Sequence, residues 1–297
     1  MRFTVGVKSA AEAEWFLDRG ADELYCGLAG LMNNRLPKEN LPGIEAAAGI
    51  VRMAAGRGAR VFLAVNEILP AAMYGPALDT LAELRRKGLF GVILRDPAFL
   101  SRLRSRRSGL YVTLSTLALC FNRGALDFFA GLGVDRLVLP MQMTPENAGS
   151  LLKNRRGIET EVFCQSLYYG INVDSMCFLP CPQSADCDSR SFHDFTCLLP
   201  FNTPYGEYRM PMPGPEYLLN AFYDFYHGGA DYVKVARWPN TLRQADLFMK
   251  VRYLVKLLDK GATRKMFVHE GLKIDSKPLE YGKSFAYRPA PAAGRRA

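Results

Sequence analysis

Four of the seven cysteines in this chain stand close together. Cys177, Cys181, Cys187 and Cys197 all fall in the segment MCFLPCPQSADCDSRSFHDFTC, which opens at Met176. His193, one of only three histidines, lies inside it. Thiolates gathered in one loop suit a soft metal or an iron–sulfur cluster, because each metal takes thiolate sulfur and a loop can bend several of them to one point. The spacing, C-x3-C-x5-C-x9-C, matches neither the paired C-x2-C knuckles of a zinc ribbon nor the tight ferredoxin run. Clustering thus predicts a metal centre on these four cysteines and leaves the metal open. Cys26, Cys120 and Cys164 sit on or beside strand-like runs and read as small buried hydrophobes.

Other chemistries are poorly supplied. A cysteine protease needs a thiol beside an oriented histidine, and His193, His227 and His269 provide no triad. There is no H-E-x-x-H for a zinc protease, no G-x-G-x-x-G after a strand and no phosphate-binding P-loop. Protease activity is not expected.

The elements that must position the cysteines alternate regularly. Strand-like runs at Phe3–Val7, Glu23–Gly27, Arg60–Val65, Gly91–Arg95, Leu110–Leu114, Arg136–Pro140 and Glu159–Phe163 are separated by amphipathic stretches, several of which stop at glycine. An eighth strand is expected at Tyr232–Ala236, after a helix at Pro215–Tyr226 and before one at Asp246–Leu258. Eight βα units predict an α/β fold of the TIM-type (β/α)8 barrel, whether regular or irregular and incomplete, with a Cys-rich insert after strand 7. Residues 1–260 would form this single domain, with the insert at 166–215 and a C-terminal extension with a basic tail at 261–297. A length of 297 residues accommodates it. With 49% hydrophobic and 23% charged residues the chain reads as soluble and globular. No apolar run reaches the ~20 residues of a membrane helix, and the N-terminus lacks a signal-peptide pattern. A cytoplasmic location is expected.

Active sites of such barrels lie at the C-terminal ends of the strands. Polar residues there are Asn66, Arg95, Asp96, Ser115, Thr116, Gln165 and Arg237, to which Lys234 within the eighth strand and Asn122 are added below. Asp96 and Ser115 are also ordinary helix N-caps, whereas Asn66 and Arg237 have less structural excuse. Arginines suit carboxylates, since guanidinium donates two parallel hydrogen bonds. The net charge of +9 includes basic runs at 102–107, 153–156 and 294–296. Such runs can bind RNA phosphates, but helix ends also favour cations.

Several segments resemble peptidase family U-32, the collagenase-like family. Gly20-Ala21-Asp22-Glu23-Leu24-Tyr25-Cys26-Gly27 is similar to its GAD-x-VY-x-G segment, and Gly58 to Asn66 to its G-x-x-V-x-x-x-x-N strand. Ser115-Thr116 followed by Asn122 resembles its ST-x5-N element, and Gly133 to Pro140 its GV-x-RVVL strand. Glu161-Val162-Phe163 with Cys177 resembles the start of the family signature, and Val233 to Arg237 a later KIEGR-like strand. The resemblance implies an iron–sulfur protein with a 4Fe–4S cluster, zinc being the alternative. It implies oxygen-independent hydroxylation, or a related step, of a small aromatic or quinone-type substrate as in ubiquinone biosynthesis, with an anionic donor such as prephenate. Asn66, Arg95, Asp96, Ser115, Asn122, Lys234 and Arg237 would bind substrate. Alternatives are a non-catalytic cluster- or zinc-bearing partner in a heterodimer with a related family member, and hydroxylation of transfer or ribosomal RNA. The chain departs from the pattern at Tyr168-Tyr169, Gln165, Leu117 and Met141-Gln142, which favours the divergent ubiquinone-pathway members.

Overall fold

The computed structural model describes residues 1–35, 37–164, 201–208, 214–235 and 241–275. Eight parallel strands form the centre: β1 Arg2–Gly6, β2 Glu23–Leu28, β3 Arg60–Val65, β4 Gly91–Leu94, β5 Tyr111–Leu114, β6 Arg136–Val138, β7 Glu159–Phe163 and β8 Tyr232–Val235. Each pairs with its sequence neighbour, and β8 returns to β1 in the register Arg2↔Tyr232. The sheet therefore closes into the expected (β/α)8 barrel. Two minor features add to it: a short strand, Asn40–Leu41, beside the end of β2, and a hairpin of Phe201–Thr203 with Gly206–Tyr208.

Helices α1 Ala10–Asp18, α2 Ile44–Ala55, α3 Tyr74–Arg86, α4 Pro97–Ser105, α5 Arg123–Gly131, α6 Pro145–Leu152, α7 Pro215–His227 and α8 Thr241–Asp259 surround the barrel. A ninth helix, α9 Arg264–Asp275, falls in the stretch read as an extension. It packs on α7 and α8, burying Phe267 in a stacked contact with Phe222 at 6.2 Å between ring centroids.

Successive strand residues point to opposite faces. Val5, Leu24, Cys26, Val61, Leu63, Val92, Val112, Leu137, Val162 and Val233 face the helices and build the main core with Phe16, Val51, Leu81, Phe99 and Leu126. The residues between them face the barrel axis. That inner face is unusual for this architecture, whose interior layers are ordinarily branched aliphatics. Here Tyr25, Phe62 and Ile93 form a small apolar cluster, while Thr4, Glu23, Thr113, Arg136, Glu161 and Lys234 are all buried. Among the described residues no helix is long and apolar enough to cross a membrane.

Candidate active site at the mouth of the barrel

The inward phase of the strands continues into the loops above them. Ala64 leads to Asn66, Ile93 to Arg95 and Thr113 to Ser115, so three of the expected residues share the C-terminal mouth. The Arg95 side chain is buried and ion-paired with Glu67 Oε2 at 2.8 Å. Asn66 Oδ1 accepts from the backbone N–H of Asn34 at 3.1 Å, tying the loop after β3 to the loop after β2. Asp96 N-caps α4: its Oδ1 accepts from the Ala98 and Phe99 amides, and its Oδ2 from the Leu69 amide and the Tyr74 hydroxyl. Ser115 Oγ accepts from the Leu117 amide, and Asn122 N-caps α5 through the Ala125 amide. These three side chains thus have full local work. Arg237 and the four clustered cysteines lie outside the described residues.

Lys234 stands lower in the barrel. Its Nζ donates to Glu161 Oε1 at 2.9 Å and lies 4.3 Å from the centroid of the Tyr25 ring. Glu161 also accepts from Arg136 at 3.2 Å, and Arg136 makes a two-pronged pair with Glu23 at 2.6 and 2.9 Å. The Arg136 guanidinium stacks 3.5 Å from the Tyr232 ring centroid. Arg60 and Thr4 complete the shell around Glu23, at 2.7 and 3.0 Å. Toward the far end, Glu159 accepts from Arg2 at 2.7 Å and from the Tyr111 hydroxyl. A ladder of alternating charges therefore runs along the axis to the floor of the mouth.

Its electrostatics follow from burial and pairing. Burial opposes the charge on Glu161, yet Lys234 and Arg136 hold its carboxyl below the usual carboxylate value. Burial likewise opposes the charge on Arg136, but Glu23 and Glu161 hold its guanidinium above the ordinary value. Burial pushes the Tyr232 hydroxyl up to about 12 against the pull of Arg136. A depressed folded value means that the stabilisation from Glu161 is complete above the unfolded carboxylate value of ~4.3. It is lost as pH falls through the depressed value. Urea unfolding measured across acidic pH is expected to show stability dropping there, and Glu161→Gln is expected to flatten that limb; an unchanged acid limb in the variant would remove Glu161 from the account.

The loop after β2 supplies residues that the strand pattern does not announce. Arg35 donates to the carbonyls of Val7 at 3.0 Å and Tyr25 at 3.2 Å, fastening the loop across the ends of β1 and β2. Gly27 permits this. A Cβ there would lie 2.0 Å from Asn40 Oδ1 and 2.8 Å from both Arg35 Cδ and Asn33 Oδ1. Gly27→Ala must displace the loop, with an expected cost of ~1–3 kcal/mol from overpacking. Faster limited proteolysis within residues 29–41 and a lower urea midpoint would report it, and wild-type proteolysis would contradict it.

Two of the described cysteines, Cys26 and Cys120, are poor metal ligands. Cys26 and Cys120 are buried, and burial pushes their thiols up to about 11. Cys164 is buried at the end of β7. Among the described residues no group of three or more His, Cys, Asp or Glu side chains could hold a metal ion. The donor set that fits a soft metal is the four-thiol one in the segment following Cys164. The internal basic runs lie elsewhere: they end α4 and α6 at the far side of the barrel, where Arg104 and Arg156 pair with Asp135 and Asp127.

The model of the family described as Peptidase family U32 matches residues 8–179, more than half of the chain. The sequence matches no curated protein. A solved structure of the U32 peptidase Mk0906 is 21% identical, with 55% of this chain and 68% of that one covered and a TM-score of 0.46. Oxaloacetate acetylhydrolase in complex with oxalate is 12% identical over 96% of this chain and 93% of its own, with a TM-score of 0.48. Phospho-2-dehydro-3-deoxyheptonate aldolase from Thermotoga maritima is 10% identical, with coverages of 87% and 70% and a TM-score of 0.48.

Proposed function

The chain belongs to peptidase family U32, and on that premise we propose that it is an iron–sulfur-dependent enzyme working at the barrel mouth. Its reaction would be an oxygen-independent hydroxylation, or a related step, on a small aromatic or quinone-type substrate, with an anionic donor such as prephenate. One observation carries this reading: β7 ends at the mouth, and the segment bearing the four clustered cysteines follows directly from Cys164. The chain thus enters that segment from the end of the barrel where Asn66, Arg95 and Ser115 lie.

Cys177, Cys181, Cys187 and Cys197 would hold a 4Fe–4S cluster. Bound there, the cluster supplies redox and Lewis-acid chemistry toward an oxygen-rich donor. Arg95, oriented by Glu67, would pair with a donor carboxylate. Lys234 contributes positive charge at the floor while Glu161 fixes its position. Tyr25 and Ile93, facing the axis nearby, offer an apolar surface for a ring. The ladder beneath is packed with Phe62 and Tyr111 against Arg136.

Anaerobic purification of the full chain tests the reading. Broad absorption near ~400 nm with about four irons and matching sulfide per chain is expected. Stoichiometric zinc without sulfide would make the cysteine segment a structural clasp and remove the enzymatic centre.

A further inference from the structure

We propose that the centre of the barrel is a binding site for one neutral hydrogen-bonding molecule, a water, held between Arg136 on β6 and Thr113 on β5. The two residues are direct partners in the strand register, and both face the axis. Each is 1% exposed. The Arg136 terminal nitrogens are engaged by Glu23, Glu159 and Glu161. Its Nε–H and the Thr113 hydroxyl have no hydrogen-bond partner among the described residues.

Folded proteins rarely leave such atoms unsatisfied, because a buried orphan carries the full desolvation penalty. Two orphans on adjacent inward positions supply the minimum of two polar partners that an ordered water requires. A water accepts from Nε–H and either donates to or accepts from the hydroxyl, so its geometry serves both. An anion does not fit, since three carboxylates already bind the same guanidinium. A cation does not fit either, since Nε–H can only donate and the guanidinium is positive. The rings of Phe62, Tyr111 and Tyr232 surround the same guanidinium, centred 5.2, 5.2 and 3.5 Å from its carbon. Thr113 thereby becomes a positioning residue, acting on Arg136 through the water. Nothing in this inference depends on the cysteine segment or its metal.

Crystals of the full chain, wild type and variants, test it together with urea unfolding. The expected result is a density peak at ~2.7–3.2 Å from both Arg136 Nε and Thr113 Oγ1. It should persist in Thr113→Ser and vanish in Thr113→Val, and the Val variant should unfold at a lower urea midpoint than wild type and the Ser variant. If the Val variant does not fold, Thr113→Ala against Thr113→Ser reads the same difference. Three results would overturn the proposal: a protein atom bonded to Nε, a peak replaced by bromide on soaking, or a Val variant as stable as wild type.

Discussion

Replacing Arg136 by methionine is expected to destabilise the fold by ~3–5 kcal/mol, the range seen when one member of a buried ion pair is removed. The size follows from what remains. Glu23 is 0% exposed and, among the described residues, would keep Arg60 and Thr4 as partners. Glu161, also 0% exposed, would keep Lys234. Both carboxylates are enclosed in the barrel, so each becomes an under-compensated buried charge. The Tyr232 ring would also lose its stacked cation. Lost side-chain area is a smaller effect, because methionine conserves most of the apolar volume. Urea denaturation of the full chain measures the loss, and a change below about 1 kcal/mol would show that the ladder is passive. Adding Glu23→Gln to the Arg136 variant should cost less than the two single changes summed, since the second removes a charge that the first stranded.

The reading of the strands as apolar runs passed over that ladder, which stands in the sequence as a broken rule. Parallel strands covered on both faces ordinarily read as continuous apolar runs. In Glu23-Leu24-Tyr25, Arg60-Val61-Phe62, Tyr111-Val112-Thr113 and Tyr232-Val233-Lys234 every second residue is polar or aromatic. The eight strands and their order were legible because the helix-facing half of each keeps the apolar signal. Partners across the axis were not, since Arg136 and Glu23 lie 113 positions apart and meet only on closure. The mouth was legible in part. Asn66, Arg95 and Ser115 could be placed by strand phase alone. The fastening of the β2 loop by Arg35 could not, because its acceptors are backbone carbonyls, which carry no sequence signature. For Asp96, Ser115 and Asn122 the capping signal and the binding signal are the same residue types in the same places, and only the hydrogen bonds tell them apart. The ninth helix escaped because its glycine and alternating charges blur the helical period.

Serine at Cys177, Cys181, Cys187 or Cys197, one at a time, is expected to lower iron and sulfide in the anaerobically purified chain by at least ten-fold. That scale is modest beside the ~10–100-fold loss of metal affinity that follows from removing even an outer hydrogen-bond partner of a ligand. Alanine at Cys26 or Cys120 should leave both contents unchanged. The contrast rests on thiolate character, since the thiolate is the ligand. Burial that pushes Cys26 and Cys120 up to about 11 keeps them protonated near neutral pH, and both side chains are enclosed in the core. Cys181 is the informative position among the four. Iron loss equal to that of Cys177→Ser would make it the fourth ligand. Full retention would leave three protein ligands and one iron open to a donor, the arrangement better suited to chemistry than to electron storage. Retention in all four variants would detach the metal from this segment and, with it, the proposed reaction from the mouth.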